Sequence, residues 1–157
     1  VRLEDSFRFG LFLPELRVDS MKAVIEEMAA TVNRVLKGRL EQQSISLVHC
    51  APSDVACAAI VNDVLLLAAG VDDISRPYVV SGISSSGVRL SFSEEQRAHV
   101  VFLILSPKND PALRGDMVTE LSLLYRDPVM VEQTLQARSF TEFLALIRTS
   151  TVYLQKE

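Results

Sequence analysis

The spacing of apolar residues changes twice in the first third of the chain. Phe7, Phe9, Leu11 and Leu13 occupy alternate positions, the period of a half-buried strand. Pro14, which has no amide proton for a ladder, should end that strand. From Ser20 the period lengthens. In "MKAVIEEMAATVNRVLKG", Val24, Ile25, Met28, Val32, Val35 and Leu36 share one helical face. Ser20 is placed to cap the first turn, Glu26 and Glu27 lie nearer its positive end, and Lys37-Gly38 is a stop. Residues 39–60 are less regular. Ile45–Val48 is a short apolar run before Pro52, and Ser53 or Asp54 is expected to cap a short helix through Ala59.

Beyond residue 63 the pattern becomes that of a sheet and then of helices. Val64–Ala69 is continuously apolar, as a buried strand is. A strand is expected over Pro77–Ile83, a turn at Ser84–Gly87, and a second strand in "VRLSF", where Val88, Leu90 and Phe92 alternate with Arg89 and Ser91. The two should form a hairpin. "HVVFLILS", His99–Ser106, is branched and apolar throughout and should be the central strand, closed by Pro107 and Asn109-Asp110-Pro111. Met117, Val118, Leu121, Leu124 and Tyr125 then form a helical stripe, broken by Arg126-Asp127-Pro128. Pro128 opens the next helix, and Ser139 with Glu142 is a capping box for a last one. Strands mixed with helices in this order predict an α/β fold, a mixed β-sheet sandwiched by helices.

Length and composition narrow the class. A chain of 157 residues with 48% hydrophobic residues is long enough for one domain with a real core. The net charge of −4 and the absence of Trp argue against nucleic acid as a partner. The longest apolar stretch, Val55–Val71, is interrupted by Asn62-Asp63 and falls short of the about 20 residues a membrane span needs. Two cysteines, Cys50 and Cys57, make no disulfide framework and suit a reducing, cytoplasmic setting. The chain begins with Val1 rather than Met, and is expected to be one domain, 1–157, cut from something longer.

Reactive motifs are scarce. His49-Cys50 with Cys57 lacks a fourth ligand and matches no zinc spacing, so no metal is expected. Gly82 and Gly87 stand at a phosphate-loop spacing, but Val88 and Arg89 replace the Lys and Ser/Thr that should follow. No nucleophile elbow is present. Asp72-Asp73 reads as a solvated loop, and His99 and His49 as structural residues. The residues ask for no cofactor.

The order of parts resembles a known family, the type-2 enzyme IIA domain of the bacterial phosphotransferase system, in its fructose/mannitol and nitrogen-regulatory branch. The likeness runs from about Leu11 to about Thr149 and is clearest in "KAVIEEMA", "VFLILSPKNDP", "ELSLLYRDP" and "ARSFTEFLALI". In that family a Pro-His pair ends the strand that corresponds to Val64–Ala69, and its His carries a phosphoryl group. Anchored on Val64 and Pro77, the pair falls on Leu67-Ala68. The resemblance therefore implies a methyl group, Ala68, at the phosphoacceptor position. The family's assisting His falls near Arg114.

Alanine can neither accept nor release a phosphoryl group. The resemblance thus implies a non-enzymatic regulatory or binding domain, a cytosolic part of a larger protein, a membrane transporter. Its candidate cleft is Ala69, Gly70, Asp72, Asp73, Arg76 and Arg114 beside Ala68. Two alternatives stand beside this reading: a working phosphocarrier that uses His49 or His99, and a structural module that forms a homodimer.

Overall fold

The computed structural model describes residues 3–8, 10–39, 55–72, 74–90 and 93–156. Within them a five-stranded mixed sheet runs in the order β1-β4-β5-β3-β2. Its strands are β1 (Phe12–Leu13), β2 (Ala56–Val61), β3 (Val64–Val71), β4 (Tyr78–Leu90) and β5 (Ser93–Pro107). Helix α1 (Met21–Arg39) covers one face; α2 (Pro111–Leu124), α3 (Pro128–Gln136) and α4 (Phe140–Lys156) cover the other. β5 is the middle strand, parallel to β3 and antiparallel to β4. Both of its faces are dry, since Val100 to Leu105 are completely buried. The expected α/β sandwich and its central strand are therefore present.

The helices start where local chemistry directs. The Ser20 hydroxyl accepts from the Ala23 amide, and Asp110 and Asp127 accept from the amides of Leu113 and Val129. Each satisfies an amide that the first turn leaves without a partner. Pro111 and Pro128 stand in the first turns of α2 and α3, where no amide proton is needed. Ser139 caps α4 through the Glu142 amide, as expected. The Glu142 carboxylate reaches back to the amide of Arg138, one residue before the cap.

Three expectations fail. Phe7–Leu13 is not one strand. A short 3-10 helix, Leu3–Ser6, and a turn through Gly10 at φ +67° precede a strand of only two residues. Phe7 and Phe12 nonetheless meet on the same ring, at 5.3 and 5.1 Å from Phe143, so two separate elements produced the apparent alternation. The short helix through Ala59 is replaced, over Ala56–Val61, by β2, an edge strand antiparallel to β3. Alanine favours helix on its own, but the open edge of β3 offers a full ladder of partners. Finally, Ser84–Gly87 is not a hairpin turn. β4 runs through it, and its antiparallel partner is β5.

That third failure shapes the sheet. Ile83 pairs with Val100 and Val88 with Ala98, so four residues of β4 stand opposite one of β5. β5 adds a slip of its own. Ala98 and Val101 both join the core beneath α1 although they are three positions apart. The alternation breaks at His99–Val100, whose two amides both donate to the Asp63 carbonyl. Such bulges re-aim side chains, and here His99 is turned toward the α3 side. The apolar run Ile45–Val48, the caps proposed at Ser53 and Asp54, and Phe92 lie outside the described residues.

Candidate functional site

β3 enters from a two-residue turn. Val61 pairs with Val64, and Asn62 takes φ +52°, the left-handed conformation that such tight hairpins require. The Asn62 amide group also donates to the carbonyls of Tyr125 (2.6 Å) and Arg126 (3.0 Å). It thereby satisfies carbonyls at the end of α2 that have no helical partner.

Along β3, side chains alternate between the two cores. Val64, Leu66 and Ala68 face α2, whereas Leu65, Leu67, Ala69 and Val71 face α1. Ala68 is therefore buried beneath the three-helix layer, 6% exposed. Ala69 points through the sheet, away from Ala68. Gly70 returns to the α2 side, and there the chain has no room for a side chain. A Cβ on Gly70 would lie 2.6 Å from Nη1 of Arg114 and 3.2 Å from the Cα of Lys108. Arg114, on the first turn of α2, donates to the hydroxyl of the fully buried Ser106 at 3.2 Å.

The end of β3 thus gathers Ala68, Gly70, Ser106, Lys108 and Arg114 on one face. Asp72 stands to one side, in an open depression with Ile74, Lys108 and Asn109. Arg76 is exposed on the loop to β4, and the next carbonyl, that of Pro77, is tied to Arg8 at 2.8 Å. Asp73 lies outside the described residues. Of the proposed cleft, Gly70 and Arg114 come together beside Ala68, while Ala69 is on the opposite face. Chemically this end of the strand offers two cations and a hydroxyl. Among the described residues this end of the strand holds no histidine.

A second cluster occupies the other end of the sheet. His99 lies seven positions before Ser106 on β5, about 23 Å at the rise of an extended strand. Its Nδ1 is 2.6 Å from Oδ2 of Asp63, off the line of a good N–H···O bond. At that distance a nitrogen lone pair and a carboxylate oxygen would repel, so Nδ1 carries the proton and Nε2 is the other working atom. Nε2 faces the β4 bulge, 3.1 Å from where a Cβ on Gly87 would sit. His99, Ser85, Glu15 and Arg138 line an open cavity of about 540 Å³ together with Pro14, Ile83 and Leu135. Ser85 donates its hydroxyl (2.6 Å) and its amide (3.4 Å) to the same oxygen of Glu15.

Sequence reasoning singled out His99 but missed its setting. The Asn62-Asp63 turn was the available signal, because the residue before a buried strand faces the end of that strand's neighbours. The Ser84–Gly87 bulge left no such mark. Among the described residues no three His, Cys, Asp or Glu side chains are grouped to hold a metal ion. His49 and Cys50 lie outside those residues. Among the described residues no helix is long and apolar enough to cross a membrane.

No protein-family model and no curated protein matches the chain. Solved structures do. The nitrogen regulatory protein IIA-Ntr of Neisseria meningitidis superposes with a TM-score of 0.68 over 92% of this chain and 97% of that one, at 13% identity. The mannitol-specific cryptic phosphotransferase enzyme IIA CmtB of Escherichia coli does so at 0.54, over 94% and 98%, at 15% identity. The fold is that of phosphotransferase-system IIA domains; identities this low establish the fold alone.

Proposed function

We propose that this chain is a IIA-like domain that has given up phosphoryl transfer at the end of β3 and serves as a regulatory or binding module of a larger protein, a membrane transporter being the class favoured. The observation that carries the proposal is Ala68. It stands at the position that the sequence resemblance assigns to the phosphoacceptor, buried against α2. A methyl group has no lone pair to attack phosphorus. The Ser106 hydroxyl nearby is fully buried and held by Arg114. A regulatory role has a precedent in the fold, since one neighbour is named a nitrogen regulatory protein. The transporter setting and a cytosolic location rest on the family resemblance.

The test is incubation with the energised phosphocarrier protein of the phosphotransferase system, followed by intact mass. No gain of one phosphate is expected. A second reading is favoured by one contact. His99, whose Nδ1 faces Asp63 at 2.6 Å, has Nε2 left to accept a phosphoryl group. An acid-labile phosphate on His99, lost in His99→Gln, would replace the first reading with the second.

A further inference from the structure

The cavity at the β4 bulge has a charge pattern that defines its ligand. Arg138, at the start of α4, donates one nitrogen to the carbonyl of Leu135 at 3.1 Å. A guanidinium has five N–H donors in a rigid fork, which suits a carboxylate. His99 supplies Nε2 on the same rim. On the facing side Glu15 commits one carboxylate oxygen to Ser85, and that grip fixes its direction. Asp63 stands behind His99. One carboxylate and one guanidinium therefore line the cavity, and a multiply charged anion such as phosphate would meet repulsion from Glu15 as well as attraction from Arg138. A ligand that also carries a positive group would be attracted by both. Among the lining residues Ile83 is buried and Leu135 half-buried, an apolar patch that accepts a hydrocarbon side chain.

We propose that this pocket binds a free α-amino acid, its carboxylate on Arg138, its ammonium on Glu15 and Nε2 of His99, and its side chain on Ile83 and Leu135. Ala68 is level with Ile104, five positions along β5 from His99, so the site lies roughly 17 Å away and is separate from the degenerate phosphoacceptor position. It would supply a regulatory domain with a signal to respond to. In that use it rests on the reading above, but the binding is measured on the chain alone, and its failure leaves the phosphotransfer result untouched.

The experiment is a two-dimensional NMR titration of the chain with each of the twenty amino acids to about 10 mM, a range that detects millimolar binding. At least one amino acid should shift the Ser85 amide and the His99 imidazole together. Its deaminated acid and its decarboxylated amine should each bind at least tenfold more weakly. Arg138→Ala should weaken the amino acid at least tenfold. Glu15→Gln, whose amide oxygen still accepts from Ser85, should narrow the preference over the deaminated acid. Silence from all twenty overturns the proposal. So does a deaminated acid or inorganic phosphate that binds as tightly as the amino acid, or shifts confined to residues away from the cavity. The analogue series needs no variant, so it decides the matter even if Arg138→Ala fails to fold.

Discussion

Two glycines on the α2 side carry opposite expectations. Gly70 faces Arg114 and Lys108 with no space for a methyl group. Gly70→Ala must swing the flexible guanidinium off Ser106 and crowd the Lys108 backbone, at a cost of about 1 kcal/mol, the low end for overpacking. Gly115, inside α2, meets nothing within 4 Å. Gly115→Ala should therefore stabilise the chain by about 0.5–1 kcal/mol, the helix-propensity difference. Urea midpoints of the two variants should move in opposite directions; a shared direction would mean that the packing around Gly70 is wrong. Glu120 offers a pH test. Partial burial and the neighbouring Asp116 carboxylate raise its pKa above 4.5. A carboxyl with a raised folded pKa stabilises fully below its unfolded value, and that contribution is lost as pH climbs through the folded value. Glu120→Gln should accordingly gain stability over the parent at neutral pH and lose the gain below about pH 4. Denaturant curves at the two pH values check this, and an equal difference at both would contradict it.

Among the elements, β5 bears most on stability. Phe102 is fully buried and stands 5.1 Å from the Tyr125 ring, 6.1 Å from Phe143 and 6.2 Å from Phe7. It links the central strand to α2, α4 and the N-terminal segment at once. Phe102→Ala should cost about 3–5 kcal/mol, as large-to-small changes in a packed core do. A loss below about 1 kcal/mol would place the strand at the periphery. Tyr125 belongs to the same cluster. Its hydroxyl pairs with Thr134 at 2.8 Å, and burial pushes its pKa upward against that hydrogen bond. A phenol so enclosed stays neutral and ties α2 to α3.

For the whole molecule, the layer order predicts a gradient of local stability. β3 and β5 are parallel neighbours in the middle of the sheet, paired from Val64–Val100 to Val71–Pro107. β1 and β2 are edges, one of them only two residues long. Native-state hydrogen exchange should leave the amides of Leu66, Phe102 and Leu103 among the slowest, opening only with global unfolding. Amides of Ala59 and Leu13 should exchange faster. Equal protection across the sheet would mean that the edges are covered by something the isolated chain retains, such as a second copy.

The periods of 2 and 3.6 residues determined the mixed α/β class, α1, β3, β5 and the three closing helices, because each buries a continuous stripe or face that its own residues spell out. Ser20, Asp127-Pro128 and Ser139 marked helix starts because a cap is a contact between residues two or three apart. The resemblance placed Ala68 on β3, and the alternation of that strand then set it against α2. Other features depended on partners distant in sequence. Ala56–Val61 became a strand because β3 had an open edge. Ser84–Gly87 stayed in β4 because β5 continued beside it, and the slip that resulted turned His99 toward Ser85 and Arg138. A bulge is a mismatch between two strands, and neither strand alone carries a record of it. The meeting of Asp63, His99, Glu15, Ser85 and Arg138 was for that reason decided only when the sheet closed.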